Sequence, residues 1–227
     1  IALTKLDGTA KGGIIIAINK ELGIPVTTDV HELSQCAEVA TVVDMLQIPA
    51  LLCKQTDLIC AAADTGKPVN IKKGQFLAPN EMLHVVEKIR QRGNDSVMIT
   101  ERGTSFGYHN LVNDFRGIPL MKTLIGCPIF FDATTSVQTP GLGRGDYAGT
   151  RLHERSGGQR EFVEPLARAA AGIGVAGIFL EVHDDPKNAP SDGDLMVPLK
   201  SLEALLEVLL RIDAASKSVP GVILEVH

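Results

Sequence analysis

Two short runs of alternating apolar residues near the middle of the chain each deliver charge. The first, Val69 to Ile71, ends on Lys72 and Lys73, and the second, Val97 to Thr100, ends on Glu101 and Arg102. Gly74 and Gly103 follow directly. An amphipathic stretch of helical period lies between them, so Gly66 to Tyr108 reads as strand, loop, helix, strand, loop. Parallel strands gather ligand sites at their carboxyl ends. Lys72 and Arg102 are therefore candidates to share one anion-binding mouth, against the plainer reading of two solvated surface charges. Carboxylates are distributed in the same way. Asp29, Asp132 and Glu181 each close a predicted strand, and Asp192 lies in the loop after the seventh. Acidic groups converging on one mouth could hold a divalent cation or move protons. The plainer reading makes them caps of the helices that follow. His84 falls inside a helical stretch and reads as structural.

Positioning such groups takes a repeated strand–helix unit. Besides the two central strands, Ile1–Lys5, Pro25–Val30, Met45–Pro49, Pro128–Asp132, Gly177–Val182 and Gly221–Val226 read as strands. Helical stretches run over Gly13–Leu22, Leu33–Val43, Gln55–Thr65, Pro119–Leu124, Arg160–Ala171 and Leu199–Ala215, and a Gly-rich loop spans Thr139 to Gly158. Strict alternation argues for a parallel sheet. Eight strands in 227 residues suggest a closed (β/α)8 TIM barrel, with an open doubly wound sheet as the alternative. No linker-like segment interrupts the pattern, so residues 1–227 read as one domain. GIFLEVH, Gly177 to His183, recurs almost verbatim as GVILEVH at the end of the chain.

The composition is that of a globular protein, 44% hydrophobic and 22% charged. A net charge of -5 gives no reason to expect nucleic acid or an anionic membrane as partner, and the apolar runs are too short to span a bilayer. The chain opens on Ile1 without a signal-peptide pattern, which is compatible with a segment upstream. Cys36, Cys53, Cys60 and Cys127 show no CxxC pairing and read as buried thiols, which fits a cytoplasmic compartment. The opening TKLDGTAKGG, Thr4 to Gly13, resembles the guanine-specificity segment of signal-recognition-particle GTPases, and that likeness covers a βα unit over residues 1–25. A working nucleotide site needs a GxxxxGK[ST] loop, and the nearest approach, Asp64 to Pro68, has proline at the hydroxyl position. Gly141, Gly143 and Gly145 are spaced GxGxG with no helix directly after them. No nucleotide cofactor is expected.

From about Leu22 to Ala215 the chain resembles the 3-deoxy-D-manno-octulosonate 8-phosphate (Kdo-8-phosphate) synthase family. The segments that carry the resemblance are PVTTDVHE, QIPALLCKQTDL, VNIKKGQFLAPNEM, ITERGTSFGYHNLVNDFR, FDATTSVQTPG, SGGQREF and GIFLEVHDDPKNAPSDG. It implies a (β/α)8 barrel, a homotetramer in the family. It also implies a transferase condensing phosphoenolpyruvate with arabinose 5-phosphate and releasing phosphate, for lipopolysaccharide synthesis. Lys72 and Arg102 would hold the phosphate and carboxylate of phosphoenolpyruvate, with Asp29, Gln47 and Gln138 lining the same pocket. Glu181 and Asp192 match two metal ligands of the family's metal-dependent branch. Thr135 stands where the family carries histidine, and Lys54 replaces an arginine. The loop from Gly141 to Glu154 is longer than usual, and the family's first two βα units, with their KANRSS stretch, have no match. These departures suggest a composite or chimeric barrel, and by strand count Ile1–Lys5 and Gly221–Val226 are the pair available to close it. Any divalent metal would be weakly bound and turnover impaired, the alternative being a silent scaffold that at most binds phosphoenolpyruvate.

Overall fold

A computed structural model of the protein describes residues 21, 23–108, 110–139 and 157–221. Six strands, β1 (Thr27–Asp29), β2 (Met45–Ile48), β3 (Val69–Lys72), β4 (Val97–Glu101), β5 (Ile129–Asp132) and β6 (Gly177–Phe179), form one sheet in chain order. Every pairing in it is parallel. Helices α1 (Leu33–Val39), α2 (Thr56–Asp64), α3 (Met82–Arg90), α4 (Gly117–Ile125) and α5 (Val163–Ile173) connect successive strands, and α6 (Leu199–Ser218) follows β6. A doubly wound sheet reverses its order at a switch point and carries helices on both faces. Here the order never reverses, so right-handed crossovers keep the helices on one face and the sheet curls toward the other, as a barrel does. The described residues thus follow the barrel reading, not the doubly wound one. The expected strands Ile1–Lys5 and Gly221–Val226 lie outside the described residues but for Gly221, as do closure through them, most of helix Gly13–Leu22 and most of the Gly-rich loop.

Alternation within each strand sorts the side chains. Leu46, Ile48, Val69, Ile71, Val97, Ile99, Ile129 and Phe131 are buried toward the helices. They meet Ile59, Val86, Ile89, Met121, Ala167 and Ala170, which recur at helical spacing and belong to the same core cluster. The opposite face carries the polar residues.

Several boundaries differ from expectation. Helix α1 stops at Val39, not Val43, because Thr41 folds its hydroxyl back onto the Glu38 carbonyl at 2.7 Å and the β-branched Thr41-Val42-Val43 run extends a helix poorly. Strand β6 ends at Phe179, not Val182. Beyond it the chain leaves the sheet, Glu181 accepting from the Val197 backbone N–H at 2.9 Å, and Val182–His183 pairs with Val197–Pro198 in a separate ribbon. Two further ribbons, Thr104–Ser105 with Leu111–Val112 and Gln138–Thr139 with Gly157–Gly158, were not expected. His84 lies within α3 as expected, on its exposed face, 3.8 Å from Glu87. Cys36, Cys53 and Cys127 are buried free thiols, pushed up by burial, while Cys60 is half-buried. Among the described residues no helix is long and apolar enough to cross a membrane.

Candidate active site

The register fixes which side chains share the helix-free face. Asp29, Gln47, Asn70 and Met98 stand in one row across β1 to β4. One pleat nearer the carboxyl ends come Lys72, Thr100, Phe130 and Gly177. The last row holds Asp132 and Phe179, with Arg102 just beyond β4.

Thr100, from the second row, heads a one-way hydrogen-bond chain through the first. The Thr100 hydroxyl donates to Asn70 Oδ1 at 2.8 Å, Asn70 Nδ2 to Gln47 Oε1 at 2.8 Å, and Gln47 Nε2 to Asp29 Oδ1 at 2.6 Å. An ionised carboxylate only accepts, so Asp29 dictates the orientation of both amides and of the hydroxyl. Above it, Lys72 Nζ lies 2.5 Å from Asp132 Oδ2 and 3.8 Å from the centroid of the Phe179 ring. Asp132 also accepts from the backbone N–H and hydroxyl of Thr134, at 3.0 and 2.8 Å, and of Thr135, at 2.8 and 2.5 Å. Its burial alone would raise the carboxyl pKa. The Lys72 ammonium and the hydrogen bonds from Thr135 outweigh that and hold it below the usual carboxylate range.

Arg102 is 8% exposed. Its Nη2 donates to the Thr135 carbonyl at 3.2 Å and to Gln138 Oε1 at 2.7 Å, and Gln138 Nε2 donates on to Asp192 Oδ1 at 3.2 Å. The buried Nε has no hydrogen-bond partner among the described residues. Burial pushes the guanidinium below its ordinary range, and the carboxylates of Asp132, Glu181, Asp192 and Glu101 pull against that. A buried fork with an unused donor, one pleat above a buried ammonium, suits a carboxylate or phosphoryl oxygen.

Lys72, Arg102 and Gln138 are thus brought together, with Asp192 reached through Gln138. Asp29 and Gln47 sit one row below them. Glu181 is buried, its backbone N–H donating to the Thr134 hydroxyl at 3.1 Å. Asp192 sits in the left-handed region at φ 53. Lys54 stands apart, its side chain 59% exposed and 4.0 Å from Glu81. The sequence reading did not single out Asn70, Thr100 and Phe179, nor Asp132 as the partner of Lys72. Spacing could have found two of them, since Asn70 precedes Lys72 and Thr100 precedes Arg102 by two residues, and such pairs share a strand face. For the metal that the resemblance implies, the described donors do not fit a tight transition-metal site. No group of three or more His, Cys, Asp or Glu side chains is placed among the described residues to hold an ion, and the Thr135 hydroxyl is turned onto Asp132.

A singly wound parallel α/β sheet that gathers buried cations and oriented amides at its carboxyl end defines a class, the barrel that handles anionic substrates at its C-terminal mouth. Within that class the DAHP synthetase I family matches over residues 10–218, and the chain belongs to that family. The 2-dehydro-3-deoxyphosphooctonate aldolase of Rhodopseudomonas palustris (strain BisB5) is 56% identical over 208 residues, 92% of this chain and 69% of the relative. The enzymes of the same name from Bradyrhizobium sp. (strain ORS 278) and Bartonella quintana (strain Toulouse) are each 58% identical, over 90% and 89% of this chain and 68% and 69% of the relatives. The family match begins at residue 10 and so takes in most of residues 1–25, for which the comparisons report no GTPase.

Proposed function

We propose that this chain binds phosphoenolpyruvate between Lys72 and Arg102. We further propose that it carries the carbon–carbon condensing site of a 2-dehydro-3-deoxyphosphooctonate aldolase, joining phosphoenolpyruvate to arabinose 5-phosphate with release of phosphate. The observation that carries this reading is the pair of buried cations at the ends of adjacent strands, one held by Asp132 and the other with an unused Nε. Phosphoenolpyruvate bears two anionic groups, and two separately fixed cations anchor both while Gln138 sets the angle of the Arg102 fork. As the methylene carbon bonds to the sugar's aldehyde carbon, whose oxygen takes up a proton, positive charge develops on the enol carbon; water adds there and loses a proton, and the carbon–oxygen bond to phosphate then breaks. Preorganised dipoles and carboxylates facing that carbon stabilise such a charge, and Asp29, at the accepting end of the hydrogen-bond chain, suits a proton from that water. Lys54, which stands apart from the Lys72–Arg102 pair, would supply a point charge for the sugar phosphate. Glu181 and Asp192 supply two carboxylates to a divalent cation, a set suited to weakly held, water-rich Mg²⁺ or Ca²⁺.

A homo-oligomer belongs to this reading, supported by exposed Leu51, Phe76, Phe106 and Tyr108 on the loops after β2, β3 and β4. So do a cytoplasmic location and a role in lipopolysaccharide synthesis. The GTPase likeness of residues 1–25 contributes nothing to it. A second reading, a barrel that binds phosphoenolpyruvate without turnover, is favoured by Thr135, whose hydroxyl is engaged on Asp132 where the resemblance calls for histidine. Calorimetry with phosphoenolpyruvate tests the binding step, and Arg102→Ala should cost about 2–5 kcal/mol of affinity. A phosphate-release assay with both substrates, with and without divalent metal, separates the two readings. Turnover abolished by Arg102→Ala supports condensation, binding without turnover supports the scaffold, and no binding by the parent removes the site.

A further inference from the structure

Strand alternation puts a second charge pair on the far side of the same strand ends. Lys72 and Arg102 face the mouth; Lys73 and Glu101, their immediate neighbours, face the helices. Lys73 is fully buried, at 0% exposure, and its ammonium is 3.4 Å from Glu101 Oε1. It also donates to the carbonyls of Gly74 and Leu77, at 3.3 and 3.2 Å, in the loop after β3. In the loop after β4 it donates to the Gly103 carbonyl and the Thr104 hydroxyl, both at 3.4 Å. One cation therefore ties together the two loops that begin where the substrate cations end. Glu101 completes the grip. Its Oε1 accepts the backbone N–H of Arg102 at 2.8 Å and of Gly103 at 2.6 Å. Gly103 has φ +87, and a Cβ there would stand 3.0 Å from Asn113 Oδ1, so only glycine makes this turn without strain.

Neither Lys73 nor Glu101 has a part in the chemistry set out above, and a buried ion pair is not retained for net stability alone, since apolar replacements of equal volume often do as well. What this pair does is local. It fixes the peptide units on either side of Arg102 Cα, the origin from which the guanidinium reaches Thr135 and Gln138. We propose that Lys73 is a positioning residue for the anion site, acting through Glu101 and the Arg102–Gly103 turn to aim Arg102. The inference rests on the reading of Arg102 as the anchor of phosphoenolpyruvate.

Calorimetric titration of the full chain with phosphoenolpyruvate tests it, using Lys73→Met, which keeps the stem and removes the charge, alone and combined with Arg102→Ala. Lys73→Met should weaken binding about tenfold or more, since misplacing a group by roughly 1 Å costs on the order of a hundredfold in function. It should do nothing further in the Arg102→Ala background, because it acts through that side chain. Glu101→Gln, a milder change, should weaken binding in the same way and serves if Lys73→Met does not fold. Affinity unchanged in a folded variant, or a loss as large in the Arg102→Ala background as in the parent, overturns the positioning role while leaving the site intact. A parent that does not bind phosphoenolpyruvate overturns the site reading, and this inference with it.

Discussion

Lys72 and Asp132 show how much a single contact at this site constrains. The ammonium sits between a carboxylate at 2.5 Å and an aromatic face at 3.8 Å, with both partners buried. Pairing, not solvent, compensates both buried charges. Removing one partner leaves the other stranded, which typically costs about 3–5 kcal/mol, whereas removing both together can be nearly neutral. Lys72→Met should therefore destabilise the protein by about 3–5 kcal/mol in denaturant unfolding. Lys72→Met combined with Asp132→Asn should recover most of that loss without restoring phosphoenolpyruvate binding. A double variant as unstable as the single one would mean that the pair is not the source of the effect. Lys72 and Arg102 were legible in the sequence as strand-end cations. The partner of Lys72 was not, because Asp132 lies sixty residues away in sequence and only the strand order and register bring the two together.

At the scale of elements, what the sequence announced well was what local pattern controls. The central strands, α2 and α6 fall within a few residues of expectation because their apolar periods are strong and their boundaries are marked. The ends of α1 and β6 were less legible. A hydroxyl turned onto the carbonyl three residues back stops the first, a local signal that the apolar period masks, and a backbone partner in another ribbon draws off the second, which is not a property of the segment itself. Gly177 belongs to the same category. It opens β6 beside Phe130, and a Cβ there would lie 2.3 Å from Cε1 of that ring. The absent side chain is what lets an aromatic ring occupy the row that also holds Lys72 and Thr100. Gly177→Ala should destabilise the protein by about 1–3 kcal/mol, as overpacking does. Adding Phe130→Leu should relieve most of that, because the clash is with the ring. Thermal unfolding of the two variants measures it, and an unrelieved double variant would locate the strain in the backbone of β6 instead.

Taken together, the described residues segregate their buried charge. Along the strands the helix-facing layer is apolar, while Lys72, Lys73, Glu101, Arg102, Asp132 and Glu181, all buried, collect at one end of the sheet, with Lys73 and Glu101 on its helix-facing side. Resistance to acid should therefore be a property of that end. Asp132 is held below the usual carboxylate range in the folded state, so the folded protein binds fewer protons than the unfolded chain does. Its contribution is present above the unfolded value of about 3.9 and is lost as pH falls through the lower folded value. Asp64, beside Arg92, and Asp114, beside Arg116, are also held low, but at the exposed surface. Salt screens those two pairs and leaves the buried one nearly untouched. Unfolding midpoints measured from neutral pH down to about pH 2, below the unfolded Asp value, should fall steeply below about pH 4 at low salt. They should still fall at high salt, where the Asp132 part of the slope remains. Asp132→Asn should lower the midpoint at neutral pH, because Lys72 loses its counterion, yet give a flatter acid limb at high salt than the parent. A parallel acid limb in the variant would show that the acid sensitivity lies elsewhere, and that the buried charge at the mouth is not what fixes the stability of the sheet's carboxyl end.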